Sequence, residues 1–442
     1  LALVSTTSTS TSSNSPAKTD LRAMSIATAL FFMWGLLTSL NDVLIPHLKS
    51  TFELSNTQAA LVQTAFFFSY FAFALVAGKM VEWRGYKQSM ILGLMVAAAG
   101  ALLFLPAAGA ASFNIFLTAL VVLAAGITCL QVAANPYVTS LGPQATAASR
   151  LNLSQAFNSL GTILGPVVGG ILILSTTQVT AGAMNAMSAT ARQAYRVQQA
   201  SSVRMPYLVM AAVLVLLAVG LAVIKLPRIV DEATQDFRPG GLDTSAADSI
   251  WRHKWLLLAA VGIFVYVGAE VSIGSFLISY FQLPEIGSLT AVQGAKLVGY
   301  YWGGAMVGRF LGSAILQRVR TGLVLGLTAV LAAVLVLTSM ATHGNVAVVT
   351  ILAVGLCNSV MFPSIFSLGV TNLGALTSKG SSLMVMSIVG GAILPLAYGR
   401  LADRIGLQQA FVIPVICYAY IAIFGFAARN LATAKERFED PV

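Results

Sequence analysis

Two carboxylic acids stand where this chain carries almost no charge. Asp42 follows the apolar run FFMWGLLTSLN, and Glu270 sits within IFVYVGAEVSIGSFLISYF, 228 residues further on. A carboxylate in an apolar layer is costly unless it is neutralised or faces a wet cavity, so such a group takes up a proton or holds a cation. Amides repeat at nearly the same interval. Gln131 and Asn358 each lie five residues before a proline (Pro136, Pro363) and are 227 apart, and Asn135 precedes Pro136 directly. Gln155 and Asn158 are three apart and share a helix face. An amide offers a donor and an acceptor together, which suits the hydroxyls of a sugar. A single amide serves equally well as a helix–helix hydrogen bond. Trp34, Tyr301 and Trp302, with Tyr300 beside them, offer ring faces to the C–H side of a sugar, with packing or an interfacial belt as the competing role.

The elements that must position these groups are membrane helices. Of 442 residues, 57% are hydrophobic and only 9% charged, and the mean hydropathy is +0.84. A water-soluble domain is roughly a quarter charged, so too few charges exist here to cover a wet surface. Twelve apolar runs centre near residues 35, 68, 97, 125, 163, 215, 265, 305, 330, 358, 389 and 417, each long enough for a helical span. The organisation expected is a Ser/Thr-rich disordered tail at 1–21, six helices over 22–226, a polar linker at 227–252, six more helices over 253–428 and a tail at 429–442.

The net charge of +10 does not point to nucleic acid, because the basic residues are sparse and gather at the ends of apolar runs. With the N-terminus placed inside, eighteen Lys and Arg fall in inner segments and seven in outer ones. This predicts an inner-membrane protein with both termini cytoplasmic, although Arg400 and Arg404 run against the bias. Cys129, Cys357 and Cys417 lie inside apolar runs and read as packing residues. No Walker A motif, Ser/His/Asp spacing or His/Cys metal spacing occurs, so neither an enzyme nor a metal protein is expected.

The two halves repeat one another. P-x-x-x-S-L-G occurs at Pro136–Gly142 and at Pro363–Gly369. Arg150 is followed by Gly161, Pro166 and Gly170, and Lys379 by Gly390, Pro395 and Gly399, at the same three offsets. A duplicated six-helix unit predicts an all-α fold of the major facilitator type, with twelve helices in two halves around a midplane site. On this reading Asp42 and Glu270 occupy equivalent places facing one cavity. After run two comes GKMVEWRGYK, which resembles a degenerate form of the facilitator loop GxxxDRxGR, in which Gly78, Glu82, Arg84 and Gly85 would form a conformational latch, with a solvated basic loop as the competing reading. GRLADRIG at 399–406 resembles the same loop, but on the opposite side.

FFMWGLLTSLNDVLIPHLKS, LVQTAFFFSYFAFALVAG, CLQVAANPYVTSLGP, RLNLSQAFNSLGTILGP, VGAEVSIGSFLISYF, YYWGGAMVGRFLGS and FPSIFSLGVTNLG together resemble the fucose/galactose/glucose–proton symporter family, over about 20–430. The resemblance implies hexose import driven by a cation gradient. It assigns an essential acid to Asp42 and sugar contacts to Asn41, Gln155 and Asn158. Gln131, Glu270 and Phe362 depart from fucose permease, and the first two are similar to the glucose/galactose branch. Glucose or galactose is therefore expected, with fucose or N-acetylglucosamine as alternatives, and a proton as coupling ion with sodium as its rival. A sugar exporter or a non-transporting sensor is the more distant reading. No cofactor and a monomer in the bilayer are expected.

Overall fold

Helices make up the regular structure of the computed structural model, which describes residues 19–52, 56–172, 188–201, 203–226 and 249–431. The side chains of 40–64 and 166–172 lie outside that description, as do most of the linker and the outermost parts of both tails. Asn41 and Asp42 are therefore placed only by their backbone, within α1 (Leu21–Phe52).

Nine helices among the described residues are long and apolar enough to cross a membrane. The twelve apolar runs of the sequence differ from this number for two reasons. The first is that α2 (Asn56–Ala110) carries two runs in 55 residues. A straight helix of that length would measure about 80 Å against a hydrocarbon layer of about 30 Å. It folds at Gly85, whose φ of 75° and ψ of 172° are open to glycine and strained for other residues. The second is that α8 (Ala291–Ile315) is long enough but less apolar, while α4 (Ala147–Leu172) has its most apolar stretch at 166–172, outside the described side chains. Their polar residues meet each other, as described below.

The remaining helices are α3 (Phe113–Thr139), α5 (Ala189–Ser201), α6 (Arg204–Val223), α7 (Lys254–Phe281), α9 (Thr321–Ala341), α10 (Gly344–Asn358), α11 (Met361–Gly369), α12 (Thr377–Met386), α13 (Gly390–Ile405), α14 (Leu407–Ala410) and α15 (Val412–Ala427). One apolar run is split into α10 and α11 at Ser359 and Val360. Pro363, four residues after Ser359, has no N–H to continue the helical ladder there. GRLADRIG ends α13, and its Gly406 (φ 89°, ψ 156°) breaks the helix much as Gly85 does.

Within the N-terminal half α2 packs on α3 and α6, and α1 on α4; within the C-terminal half α9 packs on α10 and α15, and α7 on α13. Across the halves, α4 meets α8 and α11, while α12 meets α2 and α3. Leu216, Val223, Leu311, Ile416 and Ile423 are exposed on the outside of the bundle, where a lipid surface would cover them. One end gathers the two ends of the described residues and several turns. There the Asp20 N–H donates to the Leu141 carbonyl, Gly322 abuts Arg429, and Gln144 bonds Thr371 across the halves. We call this the terminal face.

Candidate functional site

Each half holds a buried amide against a tyrosine hydroxyl. In the first, Gln131 Nε2 on α3 donates to Tyr70 Oη on α2 at 2.9 Å. In the second, Asn358 Nδ2 at the end of α10 donates to Tyr301 Oη on α8 at 2.8 Å. Tyr70 and Tyr301 are 231 residues apart and Gln131 and Asn358 are 227 apart, so the internal repeat survives as a repeated contact.

The first cluster keeps hydrogen-bonding capacity in hand. Gln131 Oε1 and both side-chain polar atoms of Asn135 are buried without a partner among the described residues. The two amides stand one turn apart on α3 and share a face. An unpaired buried polar group costs about 1–3 kcal/mol, and a polyhydroxylated ligand on that face would relieve it. Trp34 is buried with its ring 5.3 Å from that of Phe31.

The second cluster contains the acid. Tyr266 Oη donates to Glu270 Oε1 at 2.8 Å, one turn along α7, and lies 3.3 Å from the Asn358 carbonyl. Tyr418 Oη on α15 donates to Asn358 Oδ1 at 2.8 Å. Asn358 thus joins α7, α8, α10 and α15, and its amide is satisfied on both sides. Tyr301 is fully buried. Trp302 is half-buried, edge-on to Tyr301 at 5.1 Å, with its ring against Gly274. Tyr300 is exposed on the outside of the bundle.

A polar seam between α4 and α8 joins the halves. Ser149 Oγ donates to the Ser313 carbonyl at 2.7 Å and Ser313 Oγ to the Ser149 carbonyl at 3.1 Å. Asn152 Nδ2 donates to the Arg309 carbonyl at 2.7 Å. Arg309 Nη1 reaches across to Ser159 Oγ and lies 3.5 Å from the Gln155 carbonyl. Arg309 therefore sits within α8, not among the charges beyond its end where the topology count had placed it. The sign of that count is unchanged. Gln155 is buried at this seam, and Asn158 Nδ2 is turned to the Phe31 carbonyl on α1 at 2.9 Å.

The expected latch lies at the terminal face. Ser378 Oγ on α12 donates to the Gly78 carbonyl at 2.8 Å, and Ser381 Oγ to the Val132 carbonyl at 2.9 Å. A Cβ on Gly78 would fall 1.8 Å from Ser382 Oγ, so the approach of α2 to α12 needs a glycine. Glu82 Oε1 lies 3.9 Å from Lys379 Nζ, a mostly exposed pair worth little by itself. Arg84 is exposed, and Gly85 makes the turn.

Sequence reasoning brought out Gln131, Glu270, Asn358 and Tyr301 but missed Tyr70, Tyr266, Tyr418 and Arg309. Tyr70 was within reach, because it lies one repeat interval before Tyr301. The other three are ordinary residues of apolar runs until the fold turns them inward.

Known proteins agree with this architecture. The profile of the Major Facilitator Superfamily matches residues 26–386. A glucose/galactose transporter of Brucella abortus (strain 9-941) is 49% identical over 403 residues, covering 91% of this chain and 93% of its own. An L-fucose-proton symporter of Escherichia coli (strain K12) is 37% identical over 413 residues, 92% of each chain. The crystal structure of a major facilitator transporter, FucP, in the outward conformation superposes with a TM-score of 0.84 at 35% identity, covering 92% of this chain and 98% of that one.

Proposed function

Because the chain belongs to the major facilitator superfamily, as a multi-pass membrane transporter and not an enzyme, we propose that it imports a hexose, glucose or galactose, by cation-coupled symport. The repeated amide–tyrosine contact carries this reading. It sets unpaired donors and acceptors of Gln131 and Asn135 in one half opposite an acid-bearing cluster in the other. The names of the relatives at 49% and 37% identity support the substrate class.

The sugar binds between the halves, with Asn41, Gln131, Asn135, Gln155, Asn158 and Asn358 as candidate polar contacts and Trp34, Tyr301 and Trp302 as candidate ring faces. Specificity between hexose epimers then depends on single hydroxyl contacts, since a site built to bond a hydroxyl rejects an analogue lacking it. Asp42 and Glu270 take up the coupling ion, a proton in preference to sodium. A neutralised cavity closes more readily than a charged one, and this links ion and sugar movement. The seam and the Gly78 contact hold the terminal face shut. A neighbour described as outward-facing supports assigning that face to the cytoplasm, and so does the excess of basic residues there, in the inner membrane of the cell.

The test is labelled-hexose uptake into proteoliposomes under an imposed pH or sodium gradient. Uphill accumulation of glucose or galactose under the pH gradient is expected, and Asp42→Asn abolishes accumulation while leaving exchange. Absence of accumulation under either gradient overturns symport of these sugars. Accumulation under sodium alone reassigns the coupling ion.

A further inference from the structure

Basic side chains crowd the terminal ends of α7, α9 and α15 without a carboxylate to balance them. Arg252, Lys254, Arg320 and Arg429 are all exposed there, and the ion pair between Glu82 and Lys379 involves none of them. Their partners among the described residues are neutral. Lys254 Nζ lies 5.4 Å from the Trp255 ring, and Arg320 Nη1 donates to Asn430 Oδ1 at 3.2 Å. Gly322 abuts the Arg429 backbone, which brings the start of α9 against the end of α15. Trp251 stands in the short turn Ile250–Arg252 just before α7 and is 68% exposed, with its N–H donated to Ser249 Oγ. An indole beside basic residues at a helix end suits the headgroup level of a bilayer.

Behind this basic crown a groove runs along the outside of the bundle. Tyr420 Oη on α15 donates to the Leu258 carbonyl on α7 at 2.8 Å, and the Trp255 and Phe424 rings meet at 6.3 Å. These contacts fix the register of the two helices. Lys254 lies one turn from Leu258, about 6 Å nearer the terminal face. Away from that face, Leu258 and Val261 on α7 and Ile423 and Ile416 on α15 are exposed. Lys254, Leu258 and Val261 are spaced four and three apart, so they form one stripe, charged at its end and apolar along its length. A phospholipid has the same pattern. The equivalent place in the first half is built differently. There α1 and α6 have no packing comparable to that of α7 on α15 among the described residues. Asp20 Oδ1 accepts the Ala23 N–H at the start of α1, and Lys87 Nζ is bonded to the Ala222 and Ile224 carbonyls at the end of α6.

We propose that the groove between α7 and α15 is a binding site for a phospholipid with an anionic headgroup. An acyl chain lies along Leu258, Val261, Ile423 and Ile416. The headgroup meets Lys254 and Arg429, with Trp251 and Arg252 at its rim. A zwitterionic phospholipid offers the same chains but brings its own cation, so the basic crown favours the anionic one. The bound lipid holds the start of the second half at the bilayer surface. This site is separate from the sugar and ion groups and stands whether or not the symport reading does.

The test is binding of radiolabelled phosphatidylglycerol to the full chain, immobilised in detergent, with unlabelled competitors. Phosphatidylcholine with the same chains is expected to compete on the order of tenfold less well than phosphatidylglycerol, the size of effect that one or two basic groups give at a membrane surface. Lys254→Gln with Arg429→Gln brings the two lipids to within about twofold of each other, and Lys254→Arg with Arg429→Lys keeps the parent's preference. Arg22→Gln with Lys225→Gln removes two exposed charges from the equivalent helix ends of the first half and also keeps it. Inorganic phosphate displaces no more label than sodium chloride of equal ionic strength. The proposal is overturned if the two lipids compete equally in the parent, or if the first-half pair loses the preference as fully as the α7–α15 pair. Displacement of the label by inorganic phosphate beyond the chloride control also overturns it, since a free anion is then the ligand.

Discussion

The contact at Gly78 turns the closed terminal face into a measurable quantity. In Gly78→Ala the new methyl carbon would stand 1.8 Å from Ser382 Oγ and 3.0 Å from Ser382 Cβ. Rotating the serine away breaks its 3.0 Å hydrogen bond to the Ser378 carbonyl, at a cost of about 1 kcal/mol. The Cβ contact stays too short after that rotation, so the helices must part. Overpacking of this kind costs about 1–3 kcal/mol, and the 2.8 Å bond from Ser378 to the Gly78 carbonyl is stretched as they separate. The sum is about 2–4 kcal/mol, all of it paid in the closed state. The better helix propensity of alanine acts on open and closed states alike and cancels. A bias of about 2 kcal/mol shifts the open-to-closed ratio about thirtyfold. Spin labels at Trp83→Cys and Gln317→Cys read that ratio directly. Gly78→Ala is expected to populate a longer distance at the expense of the shorter, and adding Ser382→Ala recovers part of the shift. Distance distributions identical in Gly78→Ala and the parent would refute the claim that this contact closes the face.

Other outcomes follow from the two clusters. Asn358→Ala strands the Tyr418 hydroxyl and removes the donor to Tyr301. A loss of about 2–4 kcal/mol is expected from the two buried groups, read as a clear fall in Tm of the detergent-purified protein, with a smaller fall for Tyr418→Phe, which leaves only the Asn358 Oδ1 without a donor. Asn135→Leu weakens hexose binding about tenfold or more, measured by calorimetry, while leaving Tm unchanged or raised, because the unpaired atoms it removes stabilise nothing in the empty protein; Gln131→Leu weakens binding as much but also breaks the buried bond to Tyr70 and lowers Tm. A hexose lacking one hydroxyl should lose less affinity in the variant that contacted that hydroxyl than in the parent.

Much of this architecture was legible because duplication leaves its mark at a fixed interval. The P-x-x-x-S-L-G pair and the Arg150/Lys379 spacing located the halves, and Gln131 with Asn358 emerged as mates that each bond a tyrosine. The helix count was harder, since hydropathy averages a whole helix. It passes α7, whose one acid is diluted by apolar neighbours, and misses α8, whose polar face is turned to α4. Arg309 was misread for a related reason. In VGRFLGS it lies near enough to the end of its run to look like a topology charge, and only the approach of α4 reveals a cation held between the halves. The equivalence of Asp42 and Glu270 rests on spacing and backbone alone, because the Asp42 side chain lies outside the described residues.

Coupling of sugar to ion movement is the claim from which the rest descends, and charge movement tests it most directly. Proteoliposomes adsorbed on a capacitive electrode, with no imposed gradient, are exposed to a jump in glucose or galactose. The account predicts a transient inward positive current that grows as the external pH falls, persists without sodium, and is lost in Asp42→Asn while the variant still binds the sugar. Sugar binding and exchange without any such current in the parent protein would contradict it.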